Sequence, residues 1–528
     1  MASDDDQHDR NSPPTADEIA TALRVLNALA SDRAHLASLD EPTRRALLMA
    51  AGRVSRPERD ELRRMNKAFR RMEREADRAA DREALERTML RDARKAPVYQ
   101  PRWVVPTDET TAEETTAADG PELRTARACY ICKAPFTKVH FFYDSMCEAC
   151  GDFNYAKRTQ TASLKGRTAL VTGSRVKIGY HAALMLLRAG ARVIVTTRFP
   201  RDAAQRYAQE PDFDGFASRL SIHGLDLRHA PSVEVFTRFL CEREERLDFI
   251  INNACQTVRR PPGFYAHMLD HETRPFHELP AAERAVLTAH EALVSQLAGA
   301  NAALPAPGAS HAIVPGLRAG NTRVDAPGIA HAAQLSQLRF LDEDFHPVET
   351  LFPSGRLDQD LQQVDLRAVN SWRLTLAEVD TPELLEVHLV NAIAPFILNA
   401  RLKPLMLRHP TRDKHVVNVS AMEGQFYRAK KTDRHPHTNM AKAGLNMMTR
   451  TSAPDYAKDG IFMNAVDTGW VTDEDPAVHA IRKAEMGFQP PLDIVDGAAR
   501  ICDPIFVGQI TGDHPFGQFF KDYKPAPW

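Results

Sequence analysis

The stretch at residues 164–195, LKGRTALVTGSRVKIGYHAALMLLRAGARVIV, decides how this chain folds. It contains a short apolar, β-prone run at 168–172, and Gly173 then opens a turn. Apolar residues follow with helical spacing over 178–188, and a second buried run covers 191–197. The sequence therefore predicts a strand, a turn, a helix and a second strand. A glycine-containing turn of this kind binds a dinucleotide pyrophosphate, because free N–H groups and the helix dipole face the anion.

The later segments continue the same pattern. Further buried runs predict strands at 221–225, 247–251, 416–420, 461–466 and 517–521, and helical spacing predicts helices at 233–239, 382–407 and 437–458. Strands that alternate with helices indicate parallel pairing with helices on both faces. We therefore expect an α/β fold over 163–528, a doubly wound (Rossmann) sheet of seven mostly parallel strands.

An insertion of about 125 residues, 256–380, separates the fourth strand from the next long helix. It begins with a basic and proline-containing segment, continues as an Ala-rich helical stretch near 281–303, and includes a Pro/Gly-rich loop at 304–328. Loops at the carboxyl ends of the strands flank the ligand crevice of such folds. The insertion is therefore predicted to form a lid or a partner surface near the site, with a disordered excursion as the alternative for 304–328.

Length and composition limit the classes of protein to consider. At 528 residues the chain is too long for one compact domain. A net charge of −2 gives no bulk electrostatic case for nucleic acid or an anionic membrane. No apolar run approaches the roughly 18–20 residues of a spanning helix. The acidic start, MASDDDQHDR, lacks the apolar core of a secretory signal. We expect a cytoplasmic protein.

Residues 1–95 are predicted to form a helical region, in which the polar and acidic residues 1–15 are disordered. Residues 16–50 predict two helices, and Pro57 fits the first turn of a third helix that reaches about Lys95. The third helix has an apolar stripe and a polar face on which Arg alternates with Glu and Asp. It is expected to pack on the body of the protein, on a second copy or on a protein partner. A nucleic-acid arm is the alternative, although the acidic residues offset the arginines. Residues 96–126 read as a linker.

Four of the seven cysteines lie in a short module at 127–158. Their two C-x-x-C pairs are separated by 14 residues and consist of Cys129, Cys132, Cys147 and Cys150. In a reducing compartment this spacing indicates a structural zinc site, because four thiolates fill the tetrahedral coordination sphere. Reduced, buried cysteines and a redox pair are the alternatives. The neighbouring His140 is not expected to be a ligand, and the aromatic residues 141–143 are expected to form the module's core.

The chain resembles the short-chain dehydrogenase/reductase family over roughly 165–255 and 380–528. The family opens with T-G-x-x-x-G-x-G, and this chain has Thr172, Gly173 and Gly179, with Lys177 at the middle glycine. The other matching segments are GLDL at 224–227, NNAC at 252–255, HLVNAIAPF at 388–396, VVNVS at 416–420, TNMAKAGLNMMTR at 438–450 and NAVDTGWVTDE at 464–474. Their order and spacing make the resemblance specific.

The resemblance implies a nicotinamide dinucleotide cofactor. The residues expected to bind it are Gly173, Ser174, Arg175, Lys177, Ile178, Gly179, Arg198, Asp226, Leu227, Asn253, Ala254, Lys442, Gly469 and Thr472. Members that use NADPH often carry a basic residue after the second strand, where Arg198 lies, and an Arg fork suits a 2′-phosphate. NADP(H) is therefore favoured over NAD(H), with a solvent-exposed loop arginine as the alternative. Cys255 replaces the family's usual glycine and narrows the space above the cofactor.

The resemblance also implies hydride transfer with four catalytic residues. Asn391, Ser420 and Lys442 match three of them, but Thr438 stands where the family has the tyrosine that donates or accepts the proton. A threonine hydroxyl is too weak an acid to replace a phenol.

Three interpretations of this departure remain open. Another residue supplies the proton, with Tyr427, His435 and His437 as candidates. Alternatively, the proton comes from water or substrate, or the protein binds NADP(H) without turnover as a sensor or interaction scaffold. The sequence favours an NADP(H)-dependent oxidoreductase that acts on a small carbonyl or alcohol substrate. A homo-oligomer is also expected, since the family is often dimeric or tetrameric.

Overall fold

The computed structural model of the protein describes residues 13–99, 121–302, 326–346, 348–427, 431–472 and 474–528. Most of the predicted linker at 96–126 and nearly all of the Pro/Gly-rich loop at 304–328 lie outside the described residues. The chain divides into two compact units, Met1–Ala79 and Ala80–Trp528.

The N-terminal region is helical, as predicted, with helices α1 (Ala16–Ser31), α2 (Glu41–Ser55) and α3 (Arg59–Glu86). The sequence predicted that the third helix would reach about Lys95, and this prediction is wrong. The helix ends at Glu86, and a separate short helix, α4 (Met89–Ala93), follows. At this break the backbone amides of Met89 and Leu90 donate to the carbonyls of Phe141 and Phe142, at 3.0 and 3.1 Å. The chain therefore exchanges helical hydrogen bonds for contacts with the cysteine module, and Leu90 is fully buried there.

The cysteine module begins earlier than predicted. Strand β1 (Glu122–Ala128) pairs in antiparallel fashion with β2 (Pro135–Lys138), and helix α5 (Glu148–Thr159) completes the module. Residues 122–126 were expected to belong to the linker, but Leu123 is buried and the amides of Arg124 and Thr125 donate to the carboxylate of Asp81. These tertiary contacts stabilise the strand although its sequence is mostly polar.

A sheet of eight strands forms the centre of the second unit. Its strands are β3 (Thr168–Thr172), β4 (Arg192–Thr197), β5 (Leu220–Gly224), β6 (Phe249–Asn252), β7 (Lys414–Ser420), β8 (Ile461–Asp467), β9 (Phe519–Lys521) and β10 (Lys524–Ala526). The spatial order is β10-β9-β8-β7-β6-β3-β4-β5, and every pair is parallel except β9 with β10. The seven predicted strands are confirmed, and β10 was missed.

The missed strand belongs to a tight hairpin, and the residues of its turn are not ones from which a hairpin is usually predicted. Asp522 and Tyr523 connect β9 to β10 with φ of +49° and +66°. Two-residue hairpins need positive φ at both central positions, and Asn-Gly or Asp-Gly is the usual sequence. Strand β9, predicted as the edge, is therefore covered by β10.

Helices pack against both faces of the sheet. The α-helices from residue 177 onward are α6 (Lys177–Arg188), α7 (Pro200–Ala208), α8 (Phe213–Phe216), α9 (Ala230–Arg243), α10 (Pro262–Glu272), α11 (Ala281–Ala302), α12 (Pro327–Ala330), α13 (Val348–Leu351), α14 (Thr381–His388), α15 (Ala394–Leu407), α16 (Pro436–Lys458), α17 (Ala477–Glu485) and α18 (Ile494–Thr511). Successive side chains of a strand point to opposite faces. Accordingly, Val171 joins one core cluster with residues of α6 and α18, and Leu170 joins another with residues of α9 and α15. The predicted doubly wound α/β fold is confirmed.

The predicted helix over 382–407 contains an irregular turn. Leu389–Ile393 form a π-helical segment between α14 and α15. By length and composition alone, Thr381–Leu407 is the one helical stretch among the described residues that could cross a membrane. Leu398 and Leu402 are nevertheless fully buried in the core cluster that includes Phe236 of α9. The stretch is thus packed as a core helix of the α/β body.

Candidate functional site

A cavity of about 1450 Å³ lies across the carboxyl ends of the parallel strands. This is the edge at which ligands bind in open α/β sheets. All of the residues predicted from the sequence to bind the nucleotide line this cleft, except Ser174. The Ser174 side chain is fully buried, and its hydroxyl donates to the carbonyl of Val171 at 3.0 Å. The Ser174 side chain therefore points away from the cleft, and its hydrogen bond to β3 stabilises the turn.

The turn after β3 needs its glycines. Gly173 has a φ of +68°, and a Cβ there would lie 2.7 Å from the Cα of Ala254. A Cβ on Gly179 would lie 2.2 Å from the amide nitrogen of Asn253. The side chain of Asn253 in turn donates to the carbonyls of Thr172 and Gly173, at 3.0 and 3.2 Å. The turn and the end of β6 are therefore held together closely, which leaves the start of α6 open to the cleft.

Lys177 occupies the middle glycine position of this turn. It adopts a φ of +55°, the left-handed region that usually favours glycine. Its ammonium lies 3.5 Å from the carboxylate of Asp360, in the insertion. Burial opposes the charge, but Asp360 and Glu474 outweigh burial and raise the pKa of Lys177. The lysine remains charged and faces both the cleft and an acidic segment of the insertion.

The insertion contributes one wall of the cleft. Residues 362–366 line it, together with Arg356, Asp358 and Trp372. Arg175, from the turn after β3, pairs with Asp202 at 2.8 Å and also donates to the side chain of Gln362. The insertion is therefore attached directly to the turn.

Arg198 lies at the end of β4, where the resemblance places a 2′-phosphate. Its Nη2 donates to the hydroxyl of Tyr265, from the insertion, at 2.7 Å, and its guanidinium lies 4.7 Å from the centroid of that ring. Asp226, at the adenine-contacting step, is buried and accepts from Arg228 at 2.6 Å. Burial opposes ionisation of Asp226, but Arg228 more than offsets it and keeps its pKa below the usual range. Arg198 also helps to keep the pKa of Asp226 low, but no ion pair within 4.0 Å joins Arg198 to a carboxylate of the described residues. Its guanidinium can therefore still contact an anion.

The predicted catalytic residues are only partly brought together. Ser420 and Lys442 line the cleft. The Ser420 hydroxyl donates to Oδ1 of Asn446 at 2.6 Å, and the Lys442 ammonium donates to the carbonyl of Val419 at 2.7 Å. Asn391 is fully buried in the π-helical segment and does not line the cleft.

Asn391 instead fixes the loop after β6. Its amide nitrogen donates to the carbonyl of Gln256 at 3.0 Å, and its Oδ1 accepts from the backbone amide of Gln256 at 2.8 Å. Asn391 therefore holds the start of the insertion beside the cleft.

Thr438 and two of the three proposed proton donors lie away from the cleft. The Thr438 side chain, on α16, is buried, and its hydroxyl has no hydrogen-bond partner within the described parts of the chain. Tyr427 is 86% exposed on the surface. His437 is buried with its Nε2 at 3.3 Å from a carboxylate oxygen of Glu383. As these side chains do not line the cleft, the structure does not place them where a substrate would be.

His435 is the one sequence candidate for proton transfer that lines the cleft. Its ring stacks on Trp372 with a centroid distance of 3.9 Å, and its backbone is left-handed at a φ of +40°. Burial lowers the pKa of His435. Asn439 and Lys442 follow at i+4 and i+7 and also line the cleft. The sequence analysis missed Asn439, which this helical spacing would have revealed.

The segment that follows β8, residues 468–472, also lines the cleft. Gly469 has a φ of +76°, and a Cβ there would lie 2.5 Å from Leu492. Thr472 donates to the carboxylate of Glu474 at 2.7 Å. Burial raises the pKa of Asp467, which pairs with Lys521 at 3.1 Å. The acidic residues Asp467, Glu474 and Asp475 also line the cleft here.

The four predicted metal ligands are brought together. The Sγ atoms of Cys129, Cys132, Cys147 and Cys150 all lie within 4.8 Å of one another. The Cys132 and Cys147 sulfurs are 3.7 Å apart, close to the edge of about 3.8 Å that four Zn–S bonds of about 2.3 Å give in a tetrahedron. His140 is not part of this cluster. Its Nδ1 accepts from the amides of Phe142 and Tyr143, and its Nε2 lies 3.2 Å from the carboxylate of Asp152. The geometry fits one tetrahedral ion.

Two family profiles match the chain. The profile described as "short chain dehydrogenase" matches residues 167–299, and "Enoyl-(Acyl carrier protein) reductase" matches residues 367–487. "Uncharacterized protein R665" of Acanthamoeba polyphaga mimivirus is 32% identical over 393 residues, which are 72% of this chain and 71% of that protein.

Shorter similarity extends to proteins of animals. "Dehydrogenase/reductase SDR family member 13" of Bos taurus is 38% identical over 104 residues, which are 19% of this chain and 27% of that protein. Among solved structures, the NADPH-bound carbonyl reductase from chicken fatty liver is 16% identical with a TM-score of 0.39, covering 69% of this chain and 100% of that one.

Proposed function

Because this chain belongs to the short-chain dehydrogenase/reductase family, we propose that it is an NADP(H)-dependent oxidoreductase. Its reaction would transfer a hydride between the nicotinamide and a small carbonyl or alcohol substrate. The observation that carries the proposal is the cleft itself. The turn at 173–179, Arg198, Lys442 and Gly469 come from distant parts of the sequence and line one cavity at the carboxyl ends of the strands.

The cleft residues suit a phosphorylated dinucleotide. The N-terminus of α6 and the charged Lys177 would hold the pyrophosphate, and Arg198 would hold the 2′-phosphate. The hydrogen bond to Tyr265 already orients the Arg198 guanidinium. Binding of an anion therefore costs less side-chain conformational entropy. Lys442 would hold the nicotinamide ribose. When bound, the cofactor supplies or accepts the hydride.

His435 is the best-placed group for proton transfer. It directly precedes α16, and both His435 and Lys442 line the cleft. Its stacking on Trp372 fixes the ring. Its Nδ1 has no hydrogen-bond partner within the described parts of the chain. A histidine titrates close enough to neutrality to donate or accept a proton. In this proposal His435 takes the role that the family gives to the tyrosine missing at Thr438.

The cysteine cluster would hold a structural zinc ion. Four thiolates leave no open coordination position for a substrate or water. A short module with a two-stranded sheet and one helix has little core, so a metal would supply part of its stability.

A second candidate function is binding of NADP(H) without turnover. The observation that favours it is the state of two positions, 420 and 438, at which the resemblance places catalytic hydroxyl groups. The Ser420 hydroxyl donates to Asn446, and the Thr438 side chain is buried outside the cleft. In this case the protein would serve as a sensor or interaction scaffold.

One experiment separates the two candidates. Purified protein is mixed with NADPH and a panel of small aldehydes and ketones, and the absorbance of the reduced nicotinamide is followed. An oxidoreductase oxidises NADPH, and Lys442→Ala and His435→Gln lower the rate at least about 100-fold. Lys458→Ala, an exposed position on the same helix, is the matched control and retains the rate. Tight NADPH binding with no oxidation on any carbonyl supports the non-catalytic candidate.

A further inference from the structure

Tyr130 lies inside the first C-x-x-C pair and also lines the cleft. Sequence reasoning assigned this residue no function. The cysteine turn fixes its backbone, because the Cys129 amide donates to the carbonyl of Ala134 at 2.8 Å and the Tyr130 amide donates to the carbonyl of Ser145 at 2.7 Å. Tyr130 therefore reaches the cleft from a segment whose conformation depends on the four-cysteine site.

The Tyr130 hydroxyl contacts the segment that follows β8. It accepts a hydrogen bond from the backbone amide of Trp470 at 3.0 Å. A Cβ on the neighbouring Gly469 would lie 3.4 Å from the same hydroxyl. The Lys521 ammonium, which pairs with Asp467, lies 5.9 Å from the centroid of the Tyr130 ring. The module thus contacts the turn at 467–470 directly at Trp470, and Lys521 lies between the Tyr130 ring and Asp467 at the start of the turn.

The module is also attached firmly to the α/β body. The Tyr143 hydroxyl donates to Oδ1 of Asp496 at 2.5 Å, and Arg500 donates to the side chain of Asn154 at 2.7 Å. All four of these side chains are buried. Tyr130 is therefore held against the cleft by contacts that do not involve the cleft itself.

Asp467, at the start of this turn, pairs in register with Ser420, and Lys442 donates to the neighbouring Val419, so the turn lies at the end of the cleft where Lys442 would hold the nicotinamide ribose. We infer that Tyr130 is a positioning residue for this nicotinamide end of the cleft, and that the four-cysteine metal site holds it there. Its hydroxyl fixes the Trp470 amide and with it the backbone of the turn at 467–470. This inference rests on the proposed function, because it requires a nicotinamide nucleotide to bind in the cleft. It adds to the proposed function that the four-cysteine module, through Tyr130, helps to form the nucleotide site.

The inference is tested by calorimetric titration of the full-length protein with two probes, NADPH and adenosine 2′,5′-bisphosphate. The second probe carries the adenine half and lacks the nicotinamide. Tyr130→Phe keeps the ring and removes one hydrogen bond, so NADPH affinity should fall about three- to tenfold while affinity for the bisphosphate is unchanged. Tyr155→Phe removes a hydroxyl from the same module, outside the cleft, and should leave both affinities unchanged.

Removal of zinc with a chelator extends the test. It should weaken NADPH binding to the wild type and add little to the loss already present in Tyr130→Phe, because both changes act through one contact. NADPH affinity equal to that of the wild type in a zinc-loaded Tyr130→Phe protein would overturn the inference and leave the proposed function standing. A wild-type protein that binds neither probe would overturn both.

Discussion

The guanidinium of Arg158 makes a two-pronged contact with the carboxylate of Asp493, with distances of 2.6 Å from Nη1 and 2.9 Å from Nη2. Arg158 lies near the end of α5, and Asp493 caps the start of α18. Both side chains are almost completely buried. The same guanidinium lies 4.5 Å from the centroid of Phe142. This pair joins the cysteine module to the last helix of the α/β body.

Arg158→Ala should therefore be strongly destabilising. It leaves the buried carboxylate of Asp493 without its cation, and such changes cost about 3–5 kcal/mol of the free energy of unfolding. Chemical denaturation followed by tryptophan fluorescence measures the loss. Arg71→Ala, which breaks an exposed pair with Glu75 on α3, is the control and should have little effect on the free energy of unfolding, because solvent screens the pair. Equal effects of the two substitutions would contradict this account of the pair.

Zinc content tests the four-cysteine site. A protein with Cys147→Ser and Cys150→Ser should lose the roughly one zinc ion per chain expected of the wild type, because two thiolates cannot fill a tetrahedral coordination sphere. Elemental analysis by mass spectrometry measures it. Cys241→Ser, on α9 and outside the cluster, is the control. Unchanged metal content in the double variant would remove the metal site from the account.

Arg198 should determine the preference between the two nicotinamide cofactors. Arg198→Ala removes a charge-assisted contact with the 2′-phosphate, so NADPH affinity should fall about 10- to 100-fold while NADH affinity is unaffected. Arg201→Ala, on the neighbouring α7, is the matched control. If Arg198→Ala weakened binding of the two nucleotides equally, Arg198 would not recognise the phosphate.

Buried histidines should make the protein sensitive to acid. Burial lowers the pKa of His290 to about 4, from a usual value of 6.5. Between these values the unfolded chain binds a proton that the folded protein does not, so stability falls as the pH falls below 6.5. At pH 5 this costs about 2 kcal/mol for His290 alone.

The change in the free energy of unfolding between pH 7 and pH 5 measures this effect. The loss should be smaller in His290→Gln by about 2 kcal/mol. His277→Gln, at an exposed position, should show the same loss as the wild type. A His290→Gln protein as acid-sensitive as the wild type would show that His290 is not buried in the neutral form.

Local patterns revealed most of the sheet and the nucleotide half of the cleft. The turn at 173–179 and Arg198 could be located because strand, turn and helix follow one another directly in the sequence. The hairpin strand β10 could not be predicted, since Asp522 and Tyr523 adopt positive φ without a glycine. The end of α3 was also missed, because the backbone there pairs with a module far along the chain.

The catalytic side of the cleft was harder to predict because tertiary packing decides which side chains face it. Thr438 and Tyr427 were candidates by their spacing from Lys442 and Ser420, yet one is buried elsewhere and the other is exposed. Tyr130 could not be recognised, since nothing in the sequence shows where the cysteine module docks. Cytoplasmic location, homo-oligomerisation and a partner for the N-terminal helices remain predictions.

Calorimetric titration of the wild-type protein with NADPH and with NADH tests the central claim most directly. The account predicts that NADPH binds at one site per chain and at least about tenfold more tightly than NADH, because Arg198 contacts a phosphate that NADH lacks. Binding of neither nucleotide would contradict the claim. It would mean that Lys177 and the acidic segment near Asp360 close the phosphate site to the cofactor.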